Sequence, residues 1–201
     1  MRPDLHVVAG LVPDGARVLD LGCGDGALLA HLGSRGCTGT GVDQDPEQFS
    51  AALRRGVPIV SLDIDAELDH FADDSYDVVV VSQTLQATRH PDRLLDQVRR
   101  IAPHGIVSVP NFAHWRHRLT LTLRGRMPVS AGLPHRWYET PNIHLATLTD
   151  LEALFGERGL GVRRRVLLDA DGASRAVRGP ANLLATGAVY DVSRAGSPAP
   201  G

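Results

Sequence analysis

Lysine is absent from the 201-residue chain; all 21 basic side chains are arginines. With alanine and glycine abundant, that bias fits G+C-rich coding better than a function special to arginine. There is no excess of positive charge either. The formal net charge is −2, which excludes a generally basic surface for nucleic acid. Cysteine is scarce: Cys23 and Cys37 are the two present. Neither belongs to a C-x-x-C pair or sits at metal-ligand spacing from a histidine, so no zinc site is expected. Both are expected as reduced thiols. No apolar run approaches the roughly 20 residues that span a bilayer, and "MRPDLHVVAGLVPDG" is too polar for a secretory signal. The expectation is a cytoplasmic protein with neither a membrane nor a nucleic-acid partner.

What is present is an ordinary globular balance, 43% hydrophobic and 22% charged. The length suits one domain, expected over 1–194, with the Pro/Gly/Ser-rich 195–201 as a disordered tail. Apolar runs alternate with helical patterns. Strands are expected at 17–21, 37–43, 57–63, 76–83 and 105–111. Between them lie helices that start near Ala27, at Pro46 and at Pro91. "YDVVVVSQ" is apolar on both faces, as an interior parallel strand should be. About five strand–helix repeats argue for a parallel α/β sheet covered on both sides, with ligands beyond the carboxyl ends of its strands. After Asn111 the pattern loosens into a possible helix, a Pro-broken loop, and a helix with a possible Thr149–Glu152 capping box. Two strand candidates follow, 161–168 and 185–193, with the stretch between them unassigned. The acidic connection "DIDAELDHFADDSYD" reads as solvated.

The run "VLDLGCGDGALL" carries Gly22, Gly24 and Gly26 between a strand and a helix. Glycines there permit positive φ and let a ligand approach without meeting a Cβ. The helix start behind them favours a phosphate or a carboxylate. The spacing fits the dinucleotide pattern G-x-G-x-x-G/A. It equally fits the S-adenosylmethionine pattern, in which an acid, here Asp20, stands two residues before the glycines. Asp43 ends the second strand and is suited to ribose hydroxyls. Asp63 ends the third, with Ile64 after it, suited to an adenine edge. Three acids at successive strand ends beside a glycine turn point to a nucleoside site.

Taken together, "RVLDLGCGDG", "GVDQD", "DSYDVVVVSQTLQ", "GIVSVPNFAHWRHRL" and "LRGRMPVSAGLPHRWYETPNIHLATLTDLEAL" resemble the methionine biosynthesis protein MetW family, over roughly 5–166. The resemblance implies a Rossmann-like, doubly wound sheet of the class I methyltransferase type. It would have about seven strands, mostly parallel, with an antiparallel C-terminal edge hairpin. It also implies S-adenosylmethionine (or S-adenosylhomocysteine) as cofactor, bound by Asp20, Gly22, Cys23, Gly24, Gly26, Asp43, Gln44, Asp63, Ile64, Ser82 and Gln83. Finally, it implies a role in methionine synthesis with homoserine O-acetyltransferase as protein partner.

Methyl transfer is mostly a positioning problem, so the lack of a conspicuous triad does not exclude it. After the fourth strand, Ser82-Gln83-Thr84-Leu85 offers no strong base. His114, His117, His135 and His144 are the candidates, with His144 and His114 the two catalytic choices and a structural role the plainer reading for each. Residues 98–137 contain no acid. The segment from Asn111 to Arg136 holds Arg116, Arg118, Arg124, Arg126 and Arg136, with Trp115, Trp137 and Tyr138 among or next to them. A solvated basic face, a protein interface and a clamp for a substrate carboxylate or phosphate compete for that region, about 111–147. Three functions follow: an accessory protein that binds S-adenosylmethionine and regulates the acetyltransferase, a methyltransferase acting on a small acidic metabolite, or an NAD-dependent enzyme.

Overall fold

A computed structural model describes residues 1–130, 133–174 and 179–194. The expected tail, 195–201, lies outside the described residues. In chain order the elements are α1 (Pro3–Leu11), β1 (Arg17–Leu21), α2 (Ala27–Gly33), β2 (Thr38–Val42), α3 (Pro46–Arg54), β3 (Ile59–Val60) and β4 (Val78–Ser82). Then come α4 (Pro91–Ile101), β5 (His104–Pro110), α5 (Trp115–Arg124), α6 (Leu148–Glu157), β6 (Leu160–Leu168), α7 (Ala181–Leu184) and β7 (Gly187–Arg194).

The seven strands form one sheet in the order β3-β2-β1-β4-β5-β7-β6. β1 to β5 are parallel neighbours, while β7 runs antiparallel to both β5 and β6. The expected edge hairpin is therefore present. Side chains of successive strand residues face opposite sides, and β4 shows the consequence. Val79 and Val81 join a core under α4 and α6, whereas Val78 and Val80 join the core under α1, α2 and α3. A strand buried on both faces can afford no polar alternation, which is why it reads as unbroken valine.

The third strand is shorter than expected. Only Ile59 and Val60 pair, with Gly41 and Val42, so Asp63 lies in the connection beyond the strand rather than at its end. The capping box is also displaced. Thr147 is the N-cap of α6: its hydroxyl accepts from the Asp150 N–H (3.2 Å), and Asp150 accepts from the Thr147 N–H. The reason is Leu148, which is 1% exposed and must enter the helix to reach the core. Glu152 instead accepts from Tyr190 Oη (2.8 Å) and Arg165 (2.7 Å).

The acidic connection is more than solvated. Asp73, Asp74 and Asp77 pair with Arg100, Arg194 and Arg17, and Asp65 accepts the Arg89 N–H. The stretch left unassigned before β7 contains α7, whose Asn182 Oδ1 accepts the Leu148 N–H (3.1 Å). Thr147→Ala is expected to cost about 1 kcal/mol through the lost cap. A thermal melt should read this as a Tm about 2–4 °C lower.

Candidate functional site

The sheet reverses its winding between β1 and β4, so the chains leaving these strands diverge and open a crevice at their carboxyl ends. The glycine turn leaves β1 there. The Val42 carbonyl accepts the N–H groups of Gly22 (2.8 Å) and Cys23 (3.1 Å). The Gly24 N–H donates to Asp43 Oδ2 (2.8 Å), and the Asp45 N–H donates to Asp43 Oδ1 (2.9 Å). These amides fasten the turn to the end of β2.

The glycines also divide in purpose. Gly22 has φ +76, and a Cβ on it would overlap the Thr84 hydroxyl. Its bareness admits the chain leaving β4. A Cβ on Gly24, at φ +56, would find nothing nearer than Gln48 at 3.6 Å. Gly26 packs closely on Ala52 and Val57. Of the three, Gly24 is the one that leaves room for a ligand. Cys23 is turned under the loop, where its sulfur packs on Gly41 and burial pushes its thiol up to about 12. That leaves an inert thiol.

Asp20 is 2% exposed at the end of β1. Burial pushes its carboxyl up to about 7, the Arg2 charge opposes that rise, and Asp43 adds to it. A carboxylate taken out of water in this way favours a cationic partner. Asp43 is half-buried beside it; Gln44 is exposed. Asp63 Oδ1 accepts the Asp65 N–H (2.9 Å), and Ile64 packs on the core.

At the end of β4, Ser82 and Gln83 both bond Ser108 of β5. Gln83 holds φ +58, a region that a non-glycine residue occupies at a cost. Gln86 follows, 6% exposed; its amide nitrogen donates to Gln83 and its Oε1 has no partner. It stands between two hollows. One, of about 100 Å³, is apolar, with Leu85, Phe112, Leu151 and His144 among its walls. The other, of about 480 Å³, is a polar cleft whose walls include Arg2, Gln83, His135, Asn142 and Asp169.

The histidine candidates separate accordingly. His135 lines the cleft. His144 lines the apolar hollow, with Nε2 3.4 Å from the Arg89 carbonyl. His114 and His117 are buried together at the start of α5, rings 5.5 Å apart, and burial holds both below the usual histidine range. His114 walls neither hollow.

The 111–147 region stands beside this edge. Its first residue, Asn111, is buried and holds the Asn182 and Ala185 carbonyls. Arg116 stacks over Trp115 at 5.3 Å, Trp137 meets Tyr138 edge-on, and Arg136 donates to Tyr138 Oη (2.8 Å). Arg126 borders a surface hollow with Thr120 and Arg124. Neither Arg126 nor Arg136 walls the polar cleft; Arg2 does. Nothing in the sequence signals it beyond Pro3, which starts a helix and makes Arg2 its N-cap residue.

The family model for methionine biosynthesis protein MetW matches residues 2–192. The chain belongs to the MetW family. Among curated relatives, the bifunctional methionine biosynthesis protein MetXA/MetW of Rhodopirellula baltica is 33% identical over 87% of this chain. The match spans 30% of that longer protein. The fold recurs in a SAM-dependent methyltransferase of Thermotoga maritima (TM-score 0.69, 17% identity, 96% of this chain and 87% of that one). It recurs again in magnesium protoporphyrin IX methyltransferase of Synechocystis, solved with bound SAH (TM-score 0.65, 16% identity, 94% and 78%). The MetW fold is thus that of class I methyltransferases. Among the described residues of this MetW chain no helix is long and apolar enough to cross a membrane.

The buried acid has a measurable consequence. Between about pH 4, where an ordinary Asp ionises, and about pH 7, the native state keeps a proton on Asp20 that the unfolded chain has released. Stability therefore falls as pH rises across that window, and the full cost stands above it. Asp20→Asn is expected to stabilise the chain by a few kcal/mol at pH 8 and to change little at pH 4. Urea denaturation at the two pH values checks this.

Proposed function

We propose that this chain binds S-adenosylmethionine at the β1–β4 crevice and acts as an accessory partner of homoserine O-acetyltransferase. The observation that carries the partnership is a surface. Among the described residues, ten of the fifteen exposed large hydrophobic side chains fall within 115–145, Trp137 at 72% and Leu123 at 72% among them. A solvated basic face has no use for so much bare apolar area. Aromatic side chains beside arginines are the composition of interface centres, and the acid-free stretch 98–137 favours an acidic partner face. The Rhodopirellula baltica relative, which carries the MetXA and MetW names in one protein, supports the same pairing.

The crevice residues fit the cofactor's chemistry. Asp43 has free lone pairs for ribose hydroxyls after receiving two backbone N–H groups. Asp20 suits an ammonium. Gly24 gives close approach, and Ser82 and Gln83 edge the site on the β4 side. A methyltransferase fold and bound SAH in a protein of that fold support this reading. Because S-adenosylmethionine is itself made from methionine, a chain that binds it can report end-product level, provided the partner prefers one ligation state.

The polar cleft beside the crevice favours a second reading, methyl transfer to a small molecule. With Arg126 and Arg136 elsewhere, an acidic acceptor loses the clamp that the sequence suggested.

Calorimetric titration with S-adenosylhomocysteine tests the cofactor reading. Binding is expected, and Asp43→Ala should weaken it by about tenfold or more. Absence of binding by the unaltered chain would sink it. Co-purification with the acetyltransferase, and its activity with and without this chain, tests the partnership. Trp137→Ala is expected to cost about 2 kcal/mol of association and to leave the titration unchanged. No association and no change in activity would end the accessory reading, and labelled methyl transfer to a metabolite would establish the second one.

A further inference from the structure

The apolar hollow beside Gln86 serves no step of the cofactor reading. Buried Leu85 and Leu151 stand in its inner walls. Leu133, Leu145 and Ala146, from the 111–147 region, stand in others. Backbone hydrogen bonds hold this frame in place. The Phe112 N–H donates to the Ala146 carbonyl (3.0 Å), and the Ile143 and His144 N–H groups donate to the Gln86 carbonyl (2.9 and 3.0 Å). Leu133 exchanges two such bonds with Ser130 (3.0 and 3.1 Å). A hollow framed in this way is preformed, so filling it costs little ordering. Its mouth borders the exposed apolar region: Leu145, in its wall, is 45% exposed, and the adjacent Ile143 is 59% exposed.

Size and lining narrow the occupant. An apolar cavity stays dry, and one of about 150 Å³ takes a benzene ring. A hollow of about 100 Å³ therefore suits a single aliphatic side chain rather than an indole. Sites for free metabolites carry convergent polar groups that fix orientation. Here the lining is almost wholly apolar, and Asp150 in its wall is taken up in capping α6. We propose that this hollow is the anchor pocket of the docking surface, receiving one branched aliphatic or thioether side chain that projects from an acidic face of the partner chain. The proposal rests on the partnership reading above and adds to it the point of insertion. Anchors of this kind sit in desolvated pockets ringed by contacts that exclude water. The acid-free stretch 98–137, which includes Leu133, supplies the charge that meets acids around the anchor. It also disfavours a second copy of this chain as the occupant. A two-fold interface sets one surface against itself, and would bring two acid-free stretches together.

The test fills the hollow with the chain's own atoms. Ala146→Leu enlarges a side chain in one wall and Leu154→Phe enlarges one in another. A thermal melt of each shows that it folds. Calorimetry then measures association of the full chain with homoserine O-acetyltransferase. Each folded filling variant should weaken association about tenfold or more, whereas Ala146→Gly, which keeps the hollow open, should stay within about threefold. Affinity for S-adenosylhomocysteine should stay within about twofold throughout. Unchanged association of the filling variants, with Trp137→Ala still weakening it, overturns the anchor pocket and leaves the partnership standing. Equal loss of partner and S-adenosylhomocysteine binding also overturns it, because the variants would then be acting through the fold. So does intact association with loss of methyl transfer to a metabolite, which gives the hollow to a small ligand. A dimer of this chain, seen by light scattering and dissociated by the filling variants, gives it to a second copy and overturns it as well. Failure of the unaltered chain to associate with the acetyltransferase overturns both readings.

Discussion

The parallel pairing of β1 with β4 is the constraint on which the site depends. It sets Asp20 against Val80 in register, deep enough that the carboxyl is buried though it stands at a strand's end. The two chains leaving these strands must then pass within contact distance, and Gly22 with Thr84 is how they do so. Any side chain at Gly22 would meet both a strained φ and the Thr84 hydroxyl. Once that closure exists, the rest of the crevice follows from it. Gly24 is lifted into open space, and its N–H is caught by Asp43. Asp43 in turn fixes the start of α3 through the Asp45 N–H, and Asp45 caps that helix by accepting the Glu47 and Gln48 N–H groups.

This rigidity on the β1–β2 side contrasts with the β4–β5 side. There the polar groups are fewer and less satisfied: Gln83 sits at positive φ and Gln86 keeps an amide oxygen without a partner. A buried polar atom left unpaired costs free energy, and strained backbone costs more. Folding tolerates both only where the surrounding packing over-determines them, and such positions cluster where ligands act. In this crevice both lie on the β4 side, while the β1–β2 side has its turn amides paired.

Most of the architecture was legible because its signals are local. The buried valines of β4 and the proline starts of α3 and α4 follow from short-range pattern, whereas the antiparallel edge hairpin was implied by the family resemblance. What was not legible needed distance. "TLTDLE" contains two overlapping capping boxes, and only the burial of Leu148 selects Thr147 over Thr149. A glycine that admits a ligand and a glycine that admits Thr84 look alike in sequence. β3 shrinks to two residues because it pairs only with β2. Arg2 and Ser82 are separated by 80 residues, and no spacing rule joins them. The arginine-rich region was legible in composition, but that Arg116, Arg118, Arg124, Arg126 and Arg136 stand outside the walls of the cleft was not.

The β4 side is joined by hydrogen bonds to the exposed apolar region. The Gln86 carbonyl accepts the N–H groups of Ile143 (2.9 Å) and His144 (3.0 Å). The end of the apolar, arginine-rich region is thus hung from the same residue whose side chain bonds Gln83. Gln83, Gln86 and the segment carrying the exposed Ile143 and Leu145 are therefore joined by direct hydrogen bonds. Linkage then fixes a reciprocity: whatever factor the ligand imposes on partner affinity, the partner imposes on ligand affinity. Gln86 is thus shared between the β4 side of the crevice, through its side chain, and the segment 143–145, through its carbonyl.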